Sequence, residues 1–190
     1  MILDHVKKQV KFKIVYYGPA LSGKTTNVLK IAENRGEELL SFNTRTERTL
    51  VFDMTKEERE VKGFKATFII YTIPGQDIYS EIRKMVMRGA DGVVYVVDSA
   101  QDRLQENKRF LEMLSDDLKL YGKDISEIPI VFQYNKRDLE NAIPLEELNR
   151  EVNIINRPFT EAIAIKNKGV EETLNLIINE IIAYFGKLFR

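Results

Sequence analysis

Cysteine is absent from the 190 residues, and that one absence removes disulfides, thiolate chemistry, cysteine-ligated zinc, prenylation and palmitoylation together. Net charge is absent as well: 29 Lys and Arg offset 29 Asp and Glu, so no positive field draws the chain toward nucleic acid or anionic lipid. No apolar run approaches membrane-spanning length. The most hydrophobic one near the C-terminal end, Ile177 to Phe185, is interrupted by Asn179 and Glu180. At the N-terminal end Asp4 and His5 follow three apolar residues, which is no signal-peptide core, and Ile2 stands where myristoylation needs glycine. The expectation is a cytoplasmic protein with no intrinsic membrane anchor, reaching a membrane only through a partner or its C-terminal helix. The lone His5 reads as a surface residue.

With 44% hydrophobic and 31% charged residues, the chain is long enough for one well-buried core, and residues 1–190 read as a single domain. No repeat, linker or low-complexity tract interrupts it. Short apolar runs alternate with amphipathic stretches, the pattern of an α/β fold with a mostly parallel sheet covered on both faces. Strands are expected at Phe12 to Tyr17, Gly92 to Asp98, Ile130 to Tyr134 and Phe159 to Ala164. Helices are expected just after Asn27 and over Ile78 to Arg88, Leu104 to Tyr121, Leu145 to Val152 and Val170 to Phe185. The last carries a core stripe of Leu174, Ile177, Ile178, Ile181, Ile182 and Phe185. A polar stretch from Glu37 to Arg48 precedes two segments, Thr49 to Met54 and Val61 to Ile73, that read as an antiparallel hairpin on the sheet edge.

Between the first strand and helix lies Gly-Pro-Ala-Leu-Ser-Gly-Lys-Thr-Thr-Asn, Gly18 to Asn27, a complete G-x-x-x-x-G-K-[ST] phosphate loop in the context it needs. Such a loop turns backbone N–H groups at a helix N-terminus toward a β-phosphate. The Lys24 ammonium bridges phosphates and the Thr25 hydroxyl reaches Mg²⁺. Gly18, Ser22, Gly23, Lys24, Thr25 and Thr26 are the candidate phosphate-binding residues.

Asn135-Lys136-Arg137-Asp138, directly after a strand, selects the base. An Asp138 carboxylate accepts from guanine N1–H and N2–H₂, a donor pair adenine does not offer. With adenine it would be desolvated and unpaired, a cost of several kcal/mol, on the order of 4. Asn135 is placed to tie its loop to the phosphate loop, the Lys136 stem to cover the ring, and the backbone N–H of Ala164 to meet guanine O6.

The segments FKIVYYGPALSGKTTN, ERTLVFD, VKGFKA, YTIPGQ, RGADGVVYVVDSA and YNKRDL together resemble the Ras-like small GTPases, and among them the bacterial MglA family of polarity and gliding-motility switches. The resemblance runs from about Lys11 to Phe185. It implies the small G-protein fold of P-loop NTPases, with a six-stranded sheet whose edge pair is antiparallel. It also implies Mg²⁺-dependent GTP hydrolysis that times an on/off cycle between GTP and GDP. The implied activating partner is a small homodimeric roadblock-fold protein of the MglB type, recruitment to a cell pole would run through partners, and the effectors are not specified.

Several positions give that switch its own character. Most small GTPases begin the second switch with Asp-x-x-Gly, where this chain has Thr72-Ile73-Pro74-Gly75; the MglA-like group shares the change, and Asp53 on the neighbouring strand is the candidate to supply the missing acid near the metal. Gly75 is the candidate backbone donor to the γ-phosphate. Gln76 stands where GTPases hold the amide that orients the attacking water, a role for which Ras and Gα are the standard examples. Thr49 reads as the first-switch threonine that joins Thr25 at Mg²⁺ only with GTP bound. Arg48, just before it, is close enough to act as an arginine finger in cis, a role the resemblance supports; an ion pair with Glu47 or another acid is the alternative. The base-flanking lysine of the fifth motif is missing, since Ile163-Ala164-Ile165 replaces Ser-Ala-Lys. The competing functional reading is a guanine-nucleotide-dependent binding module that barely hydrolyses.

Overall fold

Strands buried on both faces read as unbroken apolar runs, and two such runs form the centre of this protein. β6 (Gly92–Asp98) and β7 (Ile130–Asn135) are buried at every residue. They belong to a sheet seen in a computed structural model that describes residues 1–37, 40–43, 50–76 and 79–186, with backbone alone for 40–43 and 50–53. Its remaining strands are β1 (Ile2–Asp4), β2 (Gln9–Tyr17), β3 (Leu40–Asn43), β4 (Leu50–Val61), β5 (Phe64–Thr72) and β8 (Phe159–Glu161).

The order is β3-β4-β5-β2-β6-β7-β8, parallel from β5 to β8 and antiparallel where β4 meets β5 and β3 meets β4. The six strands from β4 to β8 are those the resemblance implies, and β3 and β1 add to them. β1 pairs antiparallel with the first residues of β2, Lys11 facing Ile2, while β6 pairs with its last four, Ile14 to Tyr17.

The period-2 alternation of β2 separates two cores. Val10, Phe12, Ile14 and Tyr16 face α1 (Lys24–Asn34) and α5 (Val170–Phe185). Val15 and Tyr17 face α2 (Ser80–Met87) and α3 (Leu104–Lys119), with Leu148 of α4 (Leu145–Glu151) in the same cluster. The expected α5 stripe holds: Leu174, Ile177, Ile178 and Ile181 have no solvent exposure, and Ile182 and Phe185 pack against them. α2 docks on α3 through a buried ion pair, Arg83 Nε to Asp117 Oδ2 at 3.0 Å, and the same oxygen accepts the Tyr17 hydroxyl at 2.7 Å.

Three boundaries differ from expectation. β4 continues past Met54 through Thr55-Lys56-Glu57-Glu58-Arg59-Glu60 to Val61, so the hairpin closes at Lys62-Gly63 with eight facing pairs from Met54–Tyr71 to Val61–Phe64. A strand near a sheet edge tolerates charge, and here the charges are paired. Arg35 and Arg59 both bind Glu57, and Lys65 binds Glu58 at 2.9 Å. β3 lies inside the polar stretch from Glu37 to Arg48, where the sequence predicts no strand, and β8 ends at Glu161, giving way to a 3₁₀ turn at Ala164–Lys166.

Candidate functional site

In an open α/β sheet, ligands bind at the carboxyl ends of the parallel strands, and every motif residue within the described part of the chain falls on that edge. The phosphate loop follows β2 and Thr72 ends β5. Asp98 ends β6, Asn135 ends β7, and Ala164 follows β8.

The phosphate loop is shaped by its glycines. Gly23 caps α1 with φ 103°, a left-handed conformation that opposes a side chain, and a Cβ there would stand 2.2 Å from Asn135 Nδ2. A Cβ at Gly18 would stand 2.3 Å from the Val96 carbonyl oxygen. The Lys24 ammonium is buried, donating to the Gly18 and Pro19 carbonyls at 2.9 and 2.6 Å. Two of its three protons are thereby fixed and one remains for a phosphate. Burial, reinforced by the Arg103 charge, pushes its pKa down to about 7. Thr25 is exposed and Thr26 half-buried on the first turn of α1. Ser22 is wholly buried and its hydroxyl has no partner, so its contribution is through the backbone: its carbonyl accepts the Asn135 amide.

Lys24, Thr25 and Thr26 line an open cleft of about 580 Å³ together with Ala20, Leu21, Gly23, Tyr79 and the segment Ile73 to Gln76. Gly75 approaches the loop so closely that a Cβ would stand 2.4 Å from Ala20 N. Gln76 is exposed beside it, its carbonyl accepting the Tyr79 N–H at 3.2 Å. Thr72 is 3% exposed at the end of β5.

β7 alternates like β2. Phe132 and Tyr134 face the α3 side, so Gln133 and Asn135 turn toward α1 and α5. Asn135 Nδ2 donates to the Ser22 carbonyl at 2.8 Å while its Oδ1 accepts the Ala164 N–H at 2.9 Å. One side chain thus joins three loops: the tie to the phosphate loop is the one expected of Asn135, and the tie to the Ala164 turn is additional. For Ala164 the arrangement departs from expectation: its N–H is taken by Asn135 rather than offered to a ligand. Gln133 and Asn27 exchange amide bonds at 2.7 and 2.8 Å, and Gln133 also reaches Thr173 of α5 at 2.8 Å. This buried polar layer lies behind the phosphate loop.

Lys136 has φ 64°, and its ammonium binds Asp98 Oδ2 at 2.6 Å. Asp138 is exposed, and Lys166 Nζ lies 2.9 Å from its Oδ2. The bond from Lys166 holds the Asp138 carboxyl below the usual carboxylate range, so it is an acceptor at neutral pH. Lys166 is one residue beyond the place where the sequence motif carries its lysine. Asp98 was legible as an acid closing an apolar strand on the ligand edge.

Arg48 and Thr49 lie outside the described residues. Asp53 is described in its backbone only, facing Ser41 of β3. It stands one residue beyond the Met54–Tyr71 pair that ends the β4–β5 ladder. Among the described residues no group of three or more His, Cys, Asp or Glu is arranged to hold a metal. No helix among them is long and apolar enough to cross a membrane.

Comparison with known proteins agrees with this geometry. A model of the Ras family matches residues 13–183. The mutual gliding-motility protein MglA of Myxococcus xanthus (strain DK1622) is 41% identical over 191 residues, an alignment covering 97% of this chain and 97% of that protein.

Proposed function

The chain belongs to the Ras family, as an MglA-like GTPase, and from that premise we propose a Mg²⁺-dependent GTP/GDP switch that hydrolyses slowly alone and fast with a partner. The observation that carries it is Asn135, which binds the phosphate loop and the Ala164 turn at once. That spacing supports one ligand with a phosphate end at Lys24 and a guanine end at Asp138.

In this reading Lys24 and the Gly23 to Thr26 backbone hold the β-phosphate, and Asp138 accepts from guanine. Ala164 contributes toward O6 only when Asn135 releases its N–H. Thr25 and Thr49 would hold Mg²⁺, which when bound would supply positive charge against the phosphates. Asp53 provides the acid that Thr72 lacks, a role supported by its place one residue beyond the Met54–Tyr71 pair on β4, as Thr72 is on β5. Gly75 donates to the γ-phosphate and Gln76 orients the attacking water. Arg48 in cis stabilises charge on the phosphoryl group in flight, with no covalent intermediate. The partner is a roadblock-fold homodimer of the MglB type, whose task is to order Gln76 and Arg48. The name of the Myxococcus relative supports gliding motility as the output; polarity, and a cytoplasmic chain placed at a pole through partners, follow from the family resemblance alone. A neutral, buried Thr72 favours a second reading, a nucleotide-dependent binding module with little hydrolysis.

The test is the nucleotide released when the purified protein is denatured, followed by competition of bound guanine nucleotide with ATP. Release of GDP or GTP, undisplaced by excess ATP, is expected. An adenine nucleotide, or equal competition, would overturn the reading.

A further inference from the structure

Arg103 ends a 3₁₀ turn, Gln101–Arg103, between β6 and α3, and belongs to none of the sequence motifs. Its side chain is 30% exposed. Nη2 donates to the Ala20 carbonyl of the phosphate loop at 3.0 Å, and Nε lies 3.7 Å from Asp98 Oδ2. The same Asp98 oxygen accepts Lys136 Nζ at 2.6 Å. Asp98 is itself 2% exposed and fixed on every side. Asn107 bonds its N–H and C=O at 3.0 and 2.8 Å, and Ala100 N–H reaches Oδ1 at 3.2 Å. One buried carboxylate therefore carries a cation from the base-reading loop and a second cation that grips the phosphate loop.

The grip falls where the phosphate loop meets the second switch. A Cβ at Gly75 would stand 2.4 Å from Ala20 N, 2.6 Å from Ala20 Cα and 2.7 Å from the Pro19 carbonyl carbon, so the Pro19–Ala20 backbone is the wall on which Gly75 rests. Ala20, Gly75 and Gln76 line the same cleft as Lys24. Ala20, where Arg103 grips, makes none of the bonds to the Lys24 ammonium, which come from the Gly18 and Pro19 carbonyls, so a shift at Ala20 bears first on Gly75 and Gln76.

We propose that Arg103 is a positioning residue for the γ-phosphate side of the site, fixing the Pro19–Ala20 wall under Gly75 and tying it through Asp98 to Lys136. The proposal rests on the GTP-hydrolysis reading above. A merely structural role would weaken GTP and GDP binding together and lower thermal stability. A positioning role separates them, because GDP has no γ-phosphate to meet Gly75 or Gln76.

The experiment uses the full chain with Mg²⁺. It compares Arg103→Ala, Arg103→Lys and Arg103→Gln with the parent in single-turnover GTP cleavage, GTP and GDP dissociation, and thermal midpoint. Arg103→Ala is expected to cleave GTP about tenfold more slowly and to lose about tenfold in preference for GTP over GDP, the order set by one charge-assisted hydrogen bond. At pH about 6, where Lys24 carries its charge with or without Arg103 beside it, GDP dissociation should stay within about twofold of the parent. Arg103→Lys, which keeps a charged donor for the Ala20 carbonyl, should recover most of the loss, and Arg103→Gln part of it. If Arg103→Ala does not fold, the Lys and Gln variants show the same ranking. Equal losses for GTP and GDP, or no change in either, would overturn the proposal. A parent that binds no guanine nucleotide would instead remove the functional reading itself.

Discussion

The two ends of the ligand cleft are built differently. At the base end nearly every polar group already has a protein partner: Asn135 joins Ser22 and Ala164, Lys136 binds Asp98, and Asp138 is held by Lys166. At the γ-phosphate end Gln76 and Thr25 are exposed on the rim of an open cleft. The base end is the more fully bonded of the two, and in the proposed reading its residues set affinity and base choice. The other end leaves Gln76 exposed, which in the proposed reading is where a partner can act on rate. Substitutions at the base end should change binding, and those at the other end should change cleavage.

The largest expected effect lies at the base end. Asp138→Asn should weaken GTP binding about a thousandfold, because the amide meets two guanine donors with only one acceptor. Xanthosine triphosphate, whose 2-carbonyl accepts from that amide, should gain relative to GTP in a competition assay. Unaltered guanine preference would remove Asp138 as base reader. Next come Arg48→Ala and Gln76→Leu, each expected to lower partner-stimulated cleavage at least about a hundredfold, since arginine fingers contribute about 10³ to 10⁵ in related enzymes. GTP affinity should hardly move, and the double substitution should cost less than the product of the two. An Arg48→Ala protein still stimulated normally would mean that the finger comes from the partner.

Thr49→Ala is a smaller step, expected to weaken GTP binding about tenfold while sparing GDP. A titration showing equal loss for both nucleotides would take Thr49 out of the switch. The smallest effect is a proton. Lys24, with its pKa pushed down to about 7 by burial and by Arg103, is mostly neutral at pH 8 in the empty site. Phosphate anions favour its charged form and raise that pKa. Binding should therefore take up close to one proton, or about 1, at pH 8 and almost none at pH 6, and GDP affinity should fall as pH rises from about 7 to 9. Heats of GDP binding in buffers of different ionisation enthalpy at pH 8 would show it.

The same contrast explains what was legible in the sequence. GVVYVVD and the α5 stripe were readable because full burial leaves an unbroken apolar record. β4 was cut short because Lys56 to Glu60 is a run of charges, and sequence gives no sign that Arg35 and Lys65 stand ready to pair with it. The Asn135 tie was legible because both partners of its amide lie in recognisable motifs. The Asn27–Gln133–Thr173 layer, Arg103 and Lys166 were not, since their partners are distant in sequence. Lys166 also stands one residue from its motif position, displaced by the turn at Ala164–Lys166.

The claim that binding is built in while cleavage is partner-supplied has one direct test: cleavage of stoichiometric GTP, followed with and without a roadblock-fold partner while GDP dissociation is recorded in parallel. The account predicts that the partner raises the cleavage rate at least about a hundredfold and changes GDP dissociation by less than about threefold. A protein that cleaves GTP at the stimulated rate alone, or whose partner acts by changing GDP release, would contradict it.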